Sequence, residues 1–242
     1  MTLEHKPLPG NLDARVRLLE SADPRVLLAW CALTDGAGVA DTLEGWLSTA
    51  ERTRAARFGT PALRRRYVLG RATLRAVLAR RLDIEPHSVP IARGRRGRPY
   101  LADRIDLDFN VSHTVDALLI AVAEGVTVGV DVERADRTIN APGIARRCLT
   151  AGERESLEDL DAEAVRRRVL RLWTCKEAMS KATGDALAAP FRELDVELSP
   201  TLRLRGGPAP YLAADWQLHA PAAPDTHLAT LALWSRGRAA GS

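Results

Sequence analysis

Lysine is nearly missing from this chain: only Lys6, Lys176 and Lys181 occur, against thirty-two arginines. Cysteine is as scarce. Cys31, Cys148 and Cys175 are odd in number, widely spaced and free of any C-x-x-C pair, which excludes a disulfide framework and a cysteine zinc site and fits a reducing compartment. Aromatics are only 5% of residues and are not interleaved with the basic positions, so stacking platforms for nucleic-acid bases are not apparent. Long apolar runs are missing too. The longest, Val26 to Leu33, falls far short of the roughly 20 residues a membrane-spanning helix needs, and the opening "MTLEHKPLPG" has no apolar signal core. A soluble, cytoplasmic protein without a membrane association is expected.

What is present is ordinary in bulk and uneven in detail. At 242 residues, 46% hydrophobic and 27% charged, the chain can bury a sizeable core as one large domain or two small ones. The formal charge is only +4, yet residues 51–100 hold fourteen arginines against Glu51, Asp83 and Glu85, a local balance of +11 that leaves −7 for the rest. Such asymmetry points to an anionic partner: a nucleic acid, an acidic protein surface or a polyphosphate cofactor.

Periodicity predicts a buried strand over "RVLLAWCAL", ending at the turn-like "TDGAG". Two or three amphipathic helices follow between Thr42 and Leu82, broken near "FGTPA"; "ARGRRGRPYL" reads as a Gly-punctuated basic loop. "IDLDFNVSH" and "ALLIAVAEG" read as strands around a turn at "HTVD", and "VTVGVDVE" as a further strand. A long helix is expected from about Ala164 to Ala182, then strands at "RELDVELS" and "LATLALW" among Pro-rich loops. The order strand, helices, strands occurs twice, before and after about residue 125, which predicts an α+β chain of two similarly built halves.

Four pieces carry candidate chemistry. On a strand, Asp131 and Glu133 point the same way, and two carboxylates side by side suit a hard cation such as Mg²⁺, which takes one or two carboxylates and completes its shell with water and phosphate oxygens. On the long helix Glu177 and Lys181 are i and i+4, with Trp173 one turn earlier, so Glu177 can offer a third oxygen while Lys181 reaches a phosphate. Ser112 and His113 at a strand end offer a hydroxyl and an imidazole to phosphate oxygens; neighbours on a strand face opposite ways and cannot act as a nucleophile and base pair, and no G-x-S-x-G accompanies them. Gly97, Arg98 and Pro99 place one guanidinium in a tight loop able to approach an anion.

In chain order these are G-[KR]-P, F-N-[IV]-S-H, G-[IV]-D-[IV]-E and W-x-x-K-E-A-x-x-K-x-x-G. The ordered set resembles the 4′-phosphopantetheinyl transferases, in particular the larger two-lobed type that activates surfactin synthetase and related assembly lines. The resemblance implies a pseudo-dimer of two similar α+β lobes: residues 1–125 with the basic nucleotide-binding helices, and 126–242 with the metal-binding and catalytic motifs. It implies transfer of the phosphopantetheine arm of coenzyme A to a serine of an apo carrier protein, of peptide-synthetase, polyketide or fatty-acid type, with release of adenosine 3′,5′-bisphosphate. Asp131, Glu133 and Glu177 match the positions that hold Mg²⁺ against the coenzyme A pyrophosphate. Lys181 matches a phosphate contact, and Glu177 is the candidate base for the serine. Ser112, His113 and the Gly97–Pro99 loop match coenzyme-binding positions, and Arg54 and Arg66 match segments that reach the nucleotide 3′-phosphate. Lys176, about 100° round the helix from Glu177, is placed at the edge of the coenzyme site. A monomer that binds no nucleic acid is expected. The chain departs from the pattern where Arg98 replaces the usual Lys and where Glu51 falls on a usually basic position. The rival readings are a basic nucleic-acid-binding protein and a metal-dependent phosphohydrolase.

Overall fold

The computed structural model describes residues 12, 14–34, 39–94 and 96–235; Lys6 and most of the expected "TDGAG" turn lie outside them. The architecture is α+β. Strands β1 (Val16–Leu19), β2 (Val26–Ala32), β5 (Leu107–His113) and β6 (Ala117–Glu124) form an antiparallel sheet in the order β1-β2-β6-β5. Between β2 and β5 run helices α1 (Val39–Leu43), α2 (Thr49–Ala55) and α3 (Pro61–Leu82) and a short hairpin, β3 (Ile91–Arg93) with β4 (Pro99–Leu101). That hairpin replaces the expected basic loop: Gly97 sits at φ 82°, a turn conformation glycine adopts without strain, so the chain reverses there and pairs.

The second half opens on β7 (Thr127–Arg134), continues through α4 (Ala141–Cys148), α5 (Ala151–Glu155) and α6 (Ala162–Thr183), and returns through a hairpin of β8 (Asp195–Glu197) and β9 (Arg203–Gly206) to β10 (Trp216–His219) and β11 (His227–Trp234). Its sheet has the order β10-β11-β7. The expected strand at "LATLALW" thus becomes the central strand. β11 pairs with β7 along its whole length, setting Thr230 opposite Asp131 and Leu228 opposite Glu133.

Local signals account for the long helices. Thr60 caps α3 by accepting from the Leu63 N–H, Pro61 occupies the first turn, and Asp83 in the left-handed region ends it. Asp161 caps α6 through the Ala164 N–H, and Gly184 at φ 78° ends it. Among the described residues no helix is long and apolar enough to cross a membrane. Leu69, Leu74 and Leu78 of α3 are fully buried with Phe109 and Ile120, each such side chain contributing roughly 1.5–3 kcal/mol. Leu172 and Met179 of α6 pack with Tyr211 and Leu218 in a second cluster. A third joins the halves: Val128, Val130 and Val132 of β7 meet Leu119 and Ala121 of β6 and Leu231 of β11.

One arrangement occurs twice. Leu47-Ser48-Thr49-Ala50-Glu51-Arg52 and Leu149-Thr150-Ala151-Gly152-Glu153-Arg154 each begin a short helix with a capping box, Ser48 with Glu51 and Thr150 with Glu153. Arg52 donates to the Leu47 carbonyl at 2.6 Å and Arg154 to the Leu149 carbonyl at 2.9 Å. Each capping glutamate is buried against a cation from the following 22-residue helix: Arg75 reaches Glu51 at 2.5 Å, and Lys176 reaches Glu153 at 2.5 Å.

Candidate active site

The "VGVDVE" strand sorts its side chains by face. Its valines enter the core shared by the two halves, while Gly129, Asp131 and Glu133 alternate with them. At Gly129 helix α6 comes so close that a Cβ would stand 1.9 Å from the Ala178 carbonyl oxygen. Only glycine permits that approach, and through it Asp131 meets Lys181, one turn beyond Ala178.

Strand β5 meets β7 along its free edge with side chains instead of backbone. Asp108, Asn110 and Ser112 accept from the N–H groups of Val128, Val130 and Val132 at 2.8, 3.1 and 3.2 Å. The period-two run D-x-N-x-S, with Phe109 facing the other core, is the signal for this seam, and sequence reasoning passed over it. The seam satisfies buried donors that would each cost about 1–3 kcal/mol if left unpaired. It ends at the site: the Ser112 hydroxyl donates to Asp131 Oδ1 at 2.8 Å, and Lys181 Nζ donates to Ser112 Oγ at 2.9 Å and to Asp131 Oδ1 at 2.6 Å.

Around this pair lies a cavity of about 510 Å³ whose lining includes Ser112, His113, Asp131, Glu133, Glu177 and Lys181. These six sequence-predicted residues therefore come together. Asp131 Oδ2 is buried without a hydrogen-bond partner. Burial and the Asp131 charge push Glu133 above the ordinary carboxylate value, although Arg137 pairs with it and opposes the shift. Burial, Asp131 and Glu133 push Glu177 up to about 6 against the pull of Lys181. Asp131 thus raises the two carboxyls that share its cavity, and its own second oxygen is buried without a donor; carboxylate oxygens of this kind are the donor chemistry a hard cation takes. Among the described residues no group of three His, Cys, Asp or Glu side chains is drawn together as a formed metal site, and the one cation seated on Asp131 is the Lys181 ammonium.

His113 also lines a second cavity of about 400 Å³, which holds the expected Arg54 and Arg66 together with Tyr67 and Arg93, the last two missed from sequence. Arg54 lies 5.7 Å from the Tyr67 ring centroid. Partial burial, with the Lys181 and Arg66 charges, holds His113 below the usual imidazole value. The arginine surplus is smaller than composition implied. Glu51 engages Arg71 and Arg75, Glu44 engages Arg64, Asp185 engages Arg96, and Asp108 engages Arg98, so these five guanidiniums already face carboxylates. Glu51 itself is a buried structural hub.

One expectation changes. Lys176 is not at the edge of the coenzyme site: it is fully buried and donates to Glu153 Oε2 and to the Cys148 and Phe191 carbonyls at 2.5, 2.8 and 2.9 Å. It is the counterpart of Arg75 in the repeated arrangement, and the recurring L-[ST]-x-x-E-R could have revealed it. Gly97, Arg98 and Pro99 shape the β3–β4 turn beside a third cavity, of about 670 Å³, which Arg98 lines with Tyr100 and Gly184. The Arg98 guanidinium, however, is engaged by protein groups.

Comparison with known proteins agrees with both halves. Residues 127–232 match the family model described as the 4′-phosphopantetheinyl transferase superfamily, and residues 41–125 match the model described as 4′-phosphopantetheinyl transferase, N-terminal. The chain is 38% identical over 172 residues to 4′-phosphopantetheinyl transferase HetI of Nostoc sp., covering 69% of this chain and 72% of the relative. It is 26% identical over 153 residues to 4′-phosphopantetheinyl transferase Sfp of Bacillus subtilis, covering 63% and 67%. A human relative, L-aminoadipate-semialdehyde dehydrogenase-phosphopantetheinyl transferase, is 27% identical over 54% of this chain and 46% of its own. With its site strand and helix inside one matched region and its arginine-lined cavity inside the other, the chain belongs to the 4′-phosphopantetheinyl transferase superfamily and is an enzyme of that family.

Proposed function

We propose that the protein transfers the 4′-phosphopantetheine arm of coenzyme A to a serine of an apo carrier protein, in a Mg²⁺-dependent reaction that releases adenosine 3′,5′-bisphosphate. The observation that carries this reading is the meeting at His113 of a carboxylate-lined cavity and an arginine-lined one. A diphosphate with a cation suits the first, and a phosphorylated nucleotide end suits the second.

Asp131, Glu133 and Glu177 would hold Mg²⁺, which when bound neutralises charge on the diphosphate. Lys181 supplies a compact, mobile ammonium to the phosphate oxygens, and Ser112 orients it through the 2.9 Å bond. Arg54, Arg66 and His113 grip the nucleotide end away from the reacting bond. The carrier serine oxygen bonds to the pantetheine-side phosphorus as that phosphorus parts from the oxygen of the nucleotide-side phosphate. The electron pair leaves with the adenosine bisphosphate, whose charge Lys181 offsets. Glu177 is assigned the serine proton, directly or through a water. The two halves are read as similar lobes that divide near residue 125, acting as a monomer in the cytoplasm. Carriers of peptide-synthetase, polyketide or fatty-acid type are the partner class.

The test is mass spectrometry of an apo carrier protein incubated with the protein, coenzyme A and Mg²⁺. A single phosphopantetheine adduct is expected, lost with EDTA and in Glu177→Ala. No adduct on any carrier type refutes the reading, and coenzyme A hydrolysed without carrier modification would mark a phosphohydrolase.

A further inference from the structure

We propose that the Arg98–Asp108 ion pair is a positioning clasp for the transfer site, and that Arg98 does not serve as a phosphate ligand; the proposal rests on the transferase reading above. Arg98 forks onto Asp108 through two parallel bonds, from its two terminal nitrogens to Oδ1 at 2.9 Å and Oδ2 at 2.6 Å. The same guanidinium donates to the Val128 carbonyl at 3.1 Å and, through Nε, to the Lys181 carbonyl at 2.9 Å. Asp108 in turn accepts the Val128 N–H at 2.8 Å. The pair therefore closes on both backbone polar groups of Val128 and on the backbone of Lys181.

Those attachments fall on the three elements that build the site. Asp108 stands four residues before Ser112 on β5, Val128 three before Asp131 on β7, and Lys181 in the last turn of α6. Carbonyls in a helix's last turn lack intrahelical partners, and a cation there also meets the negative end of the helix dipole. Arg98 satisfies the carbonyl of the residue whose ammonium reaches Asp131 and Ser112. Gly184 stands just beyond, where a Cβ would be 3.4 Å from Arg98 Cδ. Both side chains are about one-fifth exposed, 19% and 20%. A lysine, with all three donors on one atom, cannot fork onto a carboxylate and also reach two separate carbonyls. To grip a phosphate, Arg98 would have to release Asp108 and free the end of α6.

Steady-state kinetics with coenzyme A and an apo carrier separate the two roles, with Asp108→Asn, Arg98→Lys and Arg98→Ala checked for folding by circular dichroism. A clasp predicts that Asp108→Asn and Arg98→Lys each lower kcat about ten- to a hundredfold with KM for coenzyme A within about twofold of wild type. Adding Asp108→Ala to Arg98→Ala should then cost less than the sum of the two single losses, the remainder being the Val128 N–H left without its acceptor. A phosphate ligand predicts the reverse split: Arg98→Ala raises KM about tenfold or more, Arg98→Lys retains activity, and Asp108→Asn lowers KM by releasing the arginine. That pattern overturns the proposal, as does wild-type kinetics in Asp108→Asn. If the wild type itself forms no adduct, the transferase reading fails, and the clasp is then judged by hydrogen exchange. Asp108→Asn should speed exchange at the Val128, Gly184 and Asp185 amides, and unchanged exchange there overturns it.

Discussion

Gly129→Ala is expected to damage stability and catalysis together through one added methyl group. The backbone at Gly129 is not in the left-handed region, so alanine meets no conformational barrier and only space opposes it. That opposition is severe. The new Cβ would stand 1.9 Å from the Ala178 carbonyl oxygen, 2.8 Å from the Ala182 nitrogen and 3.0 Å from the Ala178 carbonyl carbon, all backbone atoms of α6 that no rotamer change can move. Restoring even a tight contact near 3.0 Å requires α6 and β7 to part by about 1.1 Å. Overpacking of this kind costs typically about 1–3 kcal/mol and occasionally more. The same movement would draw the Lys181 backbone away from Asp131, a gap that the 2.6 Å bond between their side chains spans. A shift on the order of 1 Å in a reacting group can lower the rate about 100-fold. Thermal unfolding by circular dichroism and carrier modification at saturating coenzyme A measure the two effects. Gly152→Ala is the control, since nothing lies within 4 Å of its added Cβ and it sits in a short helix where alanine is favoured. A Gly129→Ala protein with wild-type midpoint and a kcat within about twofold would refute the close-approach account of the site.

Three further experiments separate structural from chemical roles. Lys176→Met leaves Glu153 buried without its cation, at a cost of about 3–5 kcal/mol, so the unfolding midpoint should fall by roughly 6–20 °C; adding Glu153→Gln should recover part of the loss, and no loss in the single variant contradicts the buried-pair reading. Lys181→Arg keeps the charge in a larger, planar group and should lower kcat about tenfold or more with little change in midpoint, whereas Lys176→Arg, confined in the core, should act mainly on the midpoint; equal kinetic losses would place the wrong lysine in the site. Burial raises the Asp116 carboxyl, but Thr114, His227 and Arg134 outweigh it and hold the group below its ordinary value, so its stabilisation is present above the unfolded value of about 3.9 and disappears as the pH falls through the lower folded one. Urea midpoints of wild type and Asp116→Asn should accordingly differ at pH 5 and converge toward pH 3; a gap constant across that range refutes the assignment.

Most of the site face was legible because it depends on short-range geometry. Strand alternation puts Asp131 beside Glu133, and helical spacing puts Lys181 beside Glu177, wherever those elements end up in space. The helix caps at Thr60 and Asp161 and the helix-ending Gly184 are local for the same reason. Lys176 misled because a helix face is named by what packs on it. One hundred degrees from Glu177 lies the core that Glu153 enters, and only the recurrence of L-[ST]-x-x-E-R hinted at that partner. The partners of Arg98 were hidden for the same reason: its motif specifies a charge in a tight turn, while the acceptors Asp108, Val128 and Lys181 arrive from three other segments.

The amino-acid sequence by itself determined which side chains share a face, where the long helices start and stop, and the order of motifs that marks the family, since each depends on residues within a turn or two. The tertiary structure alone decided which arginines are engaged by carboxylates, that Lys176 is buried on Glu153, and that β11 near the end of the chain would brace the Asp131 strand. Those outcomes depend on contacts between residues tens of positions apart, whose partners are chosen by burial and space and not by spacing along the chain.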